Sequence, residues 1–233
     1  MSPSPTPRLR IAIQRSGRLA DRSLDLMKDA GLRVVKGAND LLFRVENYPI
    51  DLLRVRDDDI PTFVADGVAD LGVVGLNVLE EHRGETNLGA DTVMPLGFGR
   101  CDLKIAVPDA FAWQGPQSLE GARIATSYPT VLKDYLRKRG VKADIVVLRG
   151  AVEVAPRLKM ATAICDLVST GATLEANGLK AVATVLQSEA MLIRKPSPLD
   201  PELAHLADSV VTRFRGVTAS QGAKYVKIGR AHV

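Results

Sequence analysis

The densest chemistry in the chain lies between Ala161 and Gly178. An apolar run from Ala161 to Val168, carrying Asp166, has the length and composition of a buried strand. Ser169, Thr170, Gly171, Ala172 and Thr173 follow, and Leu174-Glu175-Ala176-Asn177-Gly178 reads as a short helix closing on glycine. A strand, a hydroxyl-and-glycine turn and a helix start can together hold a phosphate. Glycine at 171 lets the backbone bend so that successive N–H groups converge, and a helix N-terminus adds partial positive charge. The hydroxyls of Ser169, Thr170 and Thr173 could donate to phosphate oxygens. Asp166 could accept from the hydroxyls of a sugar beside that phosphate. An ordinary strand-to-helix turn with hydroxylic caps would use the same residues, and the turn alone does not separate the two.

Basic residues at two other turns could complement such a site. Gln14-Arg15-Ser16-Gly17-Arg18 lies between a predicted strand, Leu9 to Ile13, and a helix in which Leu19, Ala20, Leu24, Met27 and Ala30 recur at helical spacing up to Gly31. Arg15 and Arg18 could hold a polyphosphate there, or could be solvated surface arginines. Arg54 and Arg56 stand two apart at the end of another strand and share a face if the strand extends that far. The run Asp57-Asp58-Asp59 suggests metal binding, but the residue order favours a helix start. Acids there complement the helix dipole, one serves as N-cap, and Pro61 falls where a missing N–H costs little. Val73-Val74 between Gly72 and Gly75 predicts a buried strand closely approached by a ligand or by another element, with the ligand favoured.

Composition narrows the function classes. The 233 residues suffice for one large domain or two small ones. Hydrophobic residues make up 46% and aromatics only 4%, so the core must be mostly aliphatic. The net charge of +4 is spread among interspersed signs, which suits anionic small molecules. No basic stripe with interleaved aromatics argues for nucleic acid. Cys101 and Cys165 lack metal-ligand or redox spacing and read as buried thiols. The Ser/Pro-rich start has no apolar centre typical of a secretion signal, and no apolar run reaches membrane-spanning length. The cytosol is the expected compartment.

The elements that must position these residues alternate. After a polar leader (residues 1–7), strands are predicted over residues 9–13, 39–46, 50–55 and at 73–74, with helices at 19–30, through Phe63 to Val68, and at 76–81. A polar loop follows over 83–90. From Met94 the character shifts. Strands at 101–107, 122–125, 144–148 and 161–168 alternate with a helix from Tyr128-Pro129 to Gly140 and a turn plus helix over 150–160, as in a parallel α/β sheet. One long extended run covers 181–194, and a last helix begins at Asp200-Pro201-Glu202. Leu203, Leu206, Val210 and Phe214 give that helix an apolar face, and Gly216 is expected to end it.

From about Leu9 to about Val226 the chain resembles ATP phosphoribosyltransferase, the family that carries out the first step of histidine biosynthesis. Glu153 together with Asp166-Leu167-Val168-Ser169-Thr170-Gly171-Ala172-Thr173-Leu174 is similar to the family signature. Further similar blocks are Gln14-Arg15-Ser16-Gly17-Arg18-Leu19, the run from Leu53 to Pro61, Asp70-Leu71-Gly72-Val73-Val74-Gly75 and Ile124-Ala125-Thr126-Ser127-Tyr128-Pro129. The resemblance implies two α/β domains of periplasmic-binding-protein type II, with the active site in the interdomain cleft. Domain I would comprise residues 8–98 and 191–226, and domain II residues 99–190, with crossings near 97–100 and 187–191.

The implied reaction joins ATP and phosphoribosyl pyrophosphate into N1-(5-phosphoribosyl)-ATP and pyrophosphate, with Mg2+. The 5′-phosphate would lie on Ser169, Thr170, Gly171, Ala172 and Thr173, and the ribose hydroxyls on Asp166 and, by resemblance, Glu153. Arg15, Arg18 and Arg56 would face ATP or pyrophosphate, and Asp70 is a further nucleotide contact to test. No acid or base residue is assigned, and the metal ligands are left open. The family also implies a homo-oligomer, dimer or hexamer, with neither nucleic acid nor membrane as partner. The Ser16-Gly17-Arg18 and triple-aspartate blocks resemble the long form, which carries a C-terminal histidine-binding domain. The chain ends where that domain would begin, and residues 228–233 resemble a translated sequencing adapter, so a non-native tail and no histidine feedback are expected. In the alternative, short form, a separate regulatory subunit is needed. A solute-binding module of the same fold is a rival from another class. A phosphoribosyltransferase for a different base is another, although Cys165-Asp166 stands where its usual acidic pair would be.

Overall fold

The computed structural model describes residues 7–37, 40–85, 89–169 and 171–221. The first part of the chain forms β1 (Leu9–Gln14), α1 (Arg18–Asp29), β2 (Val34–Lys36), β3 (Leu42–Val45), β4 (Ile50–Val55), α2 (Ile60–Ala65), β5 (Leu71–Gly75), α3 (Leu76–Glu85) and β6 (Asp91–Pro95). The middle part forms β7 (Cys101–Pro108), β8 (Arg123–Thr126), α4 (Pro129–Lys138), β9 (Asp144–Val147), β10 (Ala163–Val168), α5 (Ala172–Ala176) and β11 (Leu179–Ser188). The chain then closes with β12 (Ala190–Arg194) and α6 (Pro201–Gln221).

These strands make two sheets, each packed against helices, so the molecule is α/β. One sheet has the order β2-β3-β4-β1-β5-β12-β6 and the other β11-β7-β10-β8-β9. The centre of the seven-stranded sheet is parallel: β1 runs with both β4 and β5, which places the carboxyl ends Gln14, Val55 and Gly75 along one edge. In the second sheet β10 is parallel to β8 and β8 to β9; Cys165, Thr126 and Val147 stand level, and β10 continues past them to Val168. β7 runs antiparallel to β10 and β11, which makes this sheet mixed rather than wholly parallel. Ligands of open α/β sheets gather outside the carboxyl ends of such strands.

Aliphatic burial drives both layers. On one face of the larger sheet, Leu26 and Met27 of α1 and Val210 and Phe214 of α6 pack with Leu9, Ile11 and Ile13 of β1. On its other face Ile60 and Val64 of α2 meet Val74, Leu79 and Ile193. In the second sheet Leu132, Tyr135 and Leu136 of α4 cover Leu103, Ile105, Ile124 and Cys165. Cys165 is fully buried, as its apolar setting predicted, while Cys101 is only partly covered. α1 is strongly amphipathic because its apolar residues recur every three or four positions.

Several expectations about elements need correction. The edge strands β2 and β6, of three and five residues, are too short for an alternating pattern to announce them. The strand predicted over 39–46 is confined to Leu42–Val45, and residues 38 and 39 lie outside the described set. Residues 150–160 form only a turn at Val152–Val154, because Ala151 and Lys159 adopt left-handed backbone (φ 51° and 58°) that a helix excludes. The extended run 181–194 is two strands in different sheets, broken at Glu189. There the N–H groups of Leu96 and Leu76 donate to the carbonyls of Ala190 and Glu189, each at 2.9 Å, and the two chain crossings lie side by side. α6 passes through Gly216 to Gln221, since burial of Val211, Phe214 and Val217 along its face outweighs the roughly 1 kcal/mol that one glycine costs a helix. The leader residues 1–6 and the tail 228–233 lie outside the described residues.

Candidate active site

The carboxyl ends of the two sheets face each other across a cleft containing two adjoining cavities of about 490 Å³ and 510 Å³. Asp57, Val78 and Tyr128 line both, so the two spaces share a wall. The first also takes Gln14, Arg18, Gly75, Asn77 and Arg100 from one side and Leu167 and Ser169 from the other. The second takes Arg56, Asp58, Glu81 and His82 from one side and Ser127, Arg149 and Gly150 from the other. A larger cavity of about 820 Å³ lies between α3, α4 and β11. No sequence-predicted site residue lines it, and on its α4 wall Asp134 is paired with Arg137 and Lys138.

Arg18 and Arg56 therefore stand in the cleft, one in each cavity. Arg15 lines neither, but its backbone is tied on both sides of the turn: its N–H donates to the Val55 carbonyl at 2.7 Å, and its carbonyl accepts from the Arg54 guanidinium. Arg54 also spreads over the Phe43 ring, 4.4 Å from the centroid. The sequence had paired Arg54 with Arg56. The structure separates their tasks, with Arg54 folded back onto its own sheet.

The phosphate-type turn opens on the same cleft through Ser169. Gly171 adopts φ 82° at the N-cap of α5, a left-handed conformation that favours glycine. Ala172 and Thr173 are exposed at the start of α5; Thr170 lies outside the described residues. α5 has only five residues, so its dipole is weak and convergent N–H groups and hydroxyls must carry any phosphate binding. Asp166, one strand position before Leu167, accepts the Leu167 N–H at 2.8 Å through Oδ1, which leaves Oδ2 as a second acceptor. Burial pushes its carboxyl above the ordinary range, and the nearby Glu153 carboxylate adds to the rise. Asp166 and Glu153 are thus near enough for their charges to repel, although neither is among the residues that line the two cavities.

Asp70 is placed elsewhere. It precedes β5, at the opposite end from Gly75, and is buried with its Oδ1 2.8 Å from Lys195 Nζ and its Oδ2 accepting the Arg10 N–H at 2.8 Å. A carboxylate held this way fastens β1, β5 and β12 at the edge away from the cleft. The glycine strand also divides. A Cβ at Gly72 would meet Val64, Ile60 and Ile193 at 2.8–3.1 Å, so that close approach is to packed side chains rather than to a ligand, whereas Gly75 lines the cleft.

Three cleft residues escaped the sequence reading. Asp57 looked like helix-start chemistry. Asp57–Asp59 does form a helical turn that runs straight into α2, as that reading expected, but no side-chain capping bond closes it, and Asp57 lines both cavities. Asn77 and Tyr128 immediately follow the carboxyl ends of β5 and β8 by two residues, and that position was the available signal. Asn77 Nδ2 donates to Tyr128 Oη at 2.9 Å across the cleft. Burial, with the carboxylates of Asp57 and Asp166 nearby, keeps the Tyr128 phenol protonated well above its ordinary range.

Comparison with known proteins fits this arrangement. The ATP phosphoribosyltransferase family model matches residues 56–216. A protein of Maricaulis maris (strain MCS10) named ATP phosphoribosyltransferase is 51% identical over 225 residues, which cover 96% of this chain and 76% of that protein. An ATP phosphoribosyl transferase (HisG:HisZ) complex from Thermotoga maritima has a chain that superposes with a TM-score of 0.76 at 24% identity, covering 91% of this chain and 99% of that one. A periplasmic sulfonate-binding protein, SsuA from Methylobacillus flagellatus KT, superposes with a TM-score of 0.60 at 13% identity, covering 94% and 69%. At these identities the two structures are similar in fold alone.

Proposed function

The chain belongs to the ATP phosphoribosyltransferase family, and on that premise we propose that the cleft between its two sheets is where ATP and phosphoribosyl pyrophosphate react. The family reaction gives N1-(5-phosphoribosyl)-ATP and pyrophosphate, the first step of histidine biosynthesis. One observation carries the placement: Arg18, Asp57, Tyr128 and Ser169, from four separate stretches of sequence, line one cavity at the carboxyl ends of both sheets.

The chemistry asks for positioning more than for acid or base. The adenine N1 lone pair forms a bond to the anomeric carbon while the bond to pyrophosphate breaks. That lone pair is already free, so holding the two partners in line and stabilising the leaving charge do most of the work. Ser169, Thr170, Gly171, Ala172 and Thr173 hold the 5′-phosphate. Asp166 and Glu153 accept from the ribose hydroxyls. Arg18 and Arg56, with Arg15 at the adjoining turn, meet the anionic triphosphate and pyrophosphate.

Magnesium fits the residues present. Mg2+ keeps several waters and takes one or two carboxylates beside substrate phosphates. Asp57 and Asp58 offer such a pair in the cleft, and the Asp58 carboxyl is pushed up by burial and by the Asp57 charge, a repulsion that a cation relieves. These two residues would hold the ion, which when bound neutralises charge on the departing pyrophosphate.

We place the enzyme in the cytoplasm as a homo-oligomer, without nucleic-acid or membrane partners. No helix among the described residues is long and apolar enough to cross a membrane. A regulatory subunit, of the kind suggested by the two-component name of the Thermotoga complex, belongs to the short-form alternative. The test is pyrophosphate release by the purified chain with both substrates, repeated with free bases replacing ATP and with added histidine. Release that requires ATP supports the assignment. Binding of either substrate without release would favour a solute-binding module, and release with a free base would favour another acceptor.

A further inference from the structure

One face of α3 makes a polar connection across the cleft that the reaction does not itself require. The Thr130 N–H donates to Glu81 Oε1 at 2.8 Å and the Val131 N–H to Glu81 Oε2 at 3.0 Å. A carboxylate from the first sheet's layer thus engages both free amides at the start of α4, in the second. Glu81 is only 8% exposed. One helical turn earlier, Asn77 is anchored in the same direction: its N–H donates to Ser188 Oγ at 3.1 Å, the Ser188 hydroxyl donates to Asn77 Oδ1 at 2.8 Å, and Asn77 Nδ2 reaches Tyr128. Residues 77 and 81 share a helix face because they are four apart.

A helix start beside a cleft ordinarily offers its amides to an anion of the substrate. Here those amides are already taken by the protein's own carboxylate, so α4 is held rather than left open as a phosphate site. The α4 start carries Tyr128 and Pro129, which line the cleft opposite Asp57 and Asp58. We propose that Glu81 is a positioning residue: by gripping the start of α4 from α3 it fixes the separation of the two cleft walls between which the nucleotide must lie. The inference rests on the cleft being the active site. The donor turn, Ser169 to Thr173, belongs to the second sheet's layer and does not depend on the grip.

The test compares Glu81→Ala and the milder Glu81→Gln in the whole chain. Hydrogen exchange reads the grip without reference to activity: the Thr130 and Val131 amides should exchange at least about tenfold faster in Glu81→Ala. Steady-state kinetics read the positioning: KM for ATP should rise about tenfold in Glu81→Ala and less in Glu81→Gln, which keeps one acceptor oxygen. The dissociation constant for phosphoribosyl pyrophosphate alone should stay unchanged. Unaltered amide exchange would overturn the proposal. So would an unchanged KM for ATP, or donor affinity falling in step with it, as expected of general structural damage. If the unsubstituted chain released no pyrophosphate, the active-site reading would fail by itself, and the exchange result would show whether the grip still exists.

Discussion

Replacing Asp166 by Asn separates function from stability in a way the structure makes quantitative. The substitution keeps the shape and keeps an oxygen for the Leu167 N–H, but removes the charge beside Glu153. A hydrogen bond from a ribose hydroxyl to a charged acceptor contributes about 1.5–3 kcal/mol, so kcat/KM should fall roughly 10- to 150-fold. Asp166→Ala, which also removes the acceptor, should lose more. Stability should move the other way. The Asp166 carboxyl lies above its ordinary value of 3.8 in the folded chain, first because of burial and then because of Glu153. The folded state therefore binds that proton more tightly than the unfolded chain. The resulting penalty is absent below the unfolded pKa, grows as pH rises towards the folded one, and is complete above it. Asp166→Asn removes it, so the denaturation midpoint at pH 7 should stay the same or rise, while at pH 3 the two proteins should converge. The assays are pyrophosphate release and denaturant unfolding at both pH values. An Asn variant with near-normal kcat/KM, or one whose activity loss merely tracks a fall in stability, would refute the reasoning.

Lys195→Met should strand the Asp70 carboxylate, which is 8% exposed, and cost about 3 kcal/mol of unfolding free energy, with kcat of the folded protein unchanged because the pair sits at the end of β5 away from the cleft. Adding Asp70→Asn, which removes the stranded charge but keeps an oxygen for the Arg10 N–H, should recover most of that loss; lost turnover in folded Lys195→Met would instead return Asp70 to the nucleotide. Gly72→Ala should cost about 1–3 kcal/mol through overpacking against Val64, Ile60 and Ile193, measured as a lower denaturation midpoint, and a neutral result would mean that α2 yields more readily than its burial implies.

Much of this was legible in the sequence where periodicity and chemistry agree. β1, β4, α1 and α4 follow from aliphatic runs and helical spacing, and the turn between β10 and α5 follows from hydroxyls and a glycine placed after an apolar run and before a short helix. What was not legible depended on distant pairing. The run 181–194 is equally extended in both halves, so nothing local marks Glu189 as the point where the chain changes sheets. Asp70 reads as a polar residue beside a glycine strand until Lys195, 125 positions later, closes on it. Asp57 carries the composition of a helix start, and only the parallel alignment of β4 with β1 and β5 brings it to the edge where Gln14 and Gly75 also end. Glu81 is one acid among several on α3, and its task exists only because α4 begins opposite it.

The central claim, that the bend after Val168 holds the sugar phosphate inside the cleft, is tested most directly by a crystal structure of the chain with phosphoribosyl pyrophosphate. The account predicts the 5′-phosphate on the amides and hydroxyls from Ser169 to Thr173, with the ribose hydroxyls within hydrogen-bond reach of Asp166. A donor bound elsewhere, with that bend empty or packed away from the cleft, would contradict it.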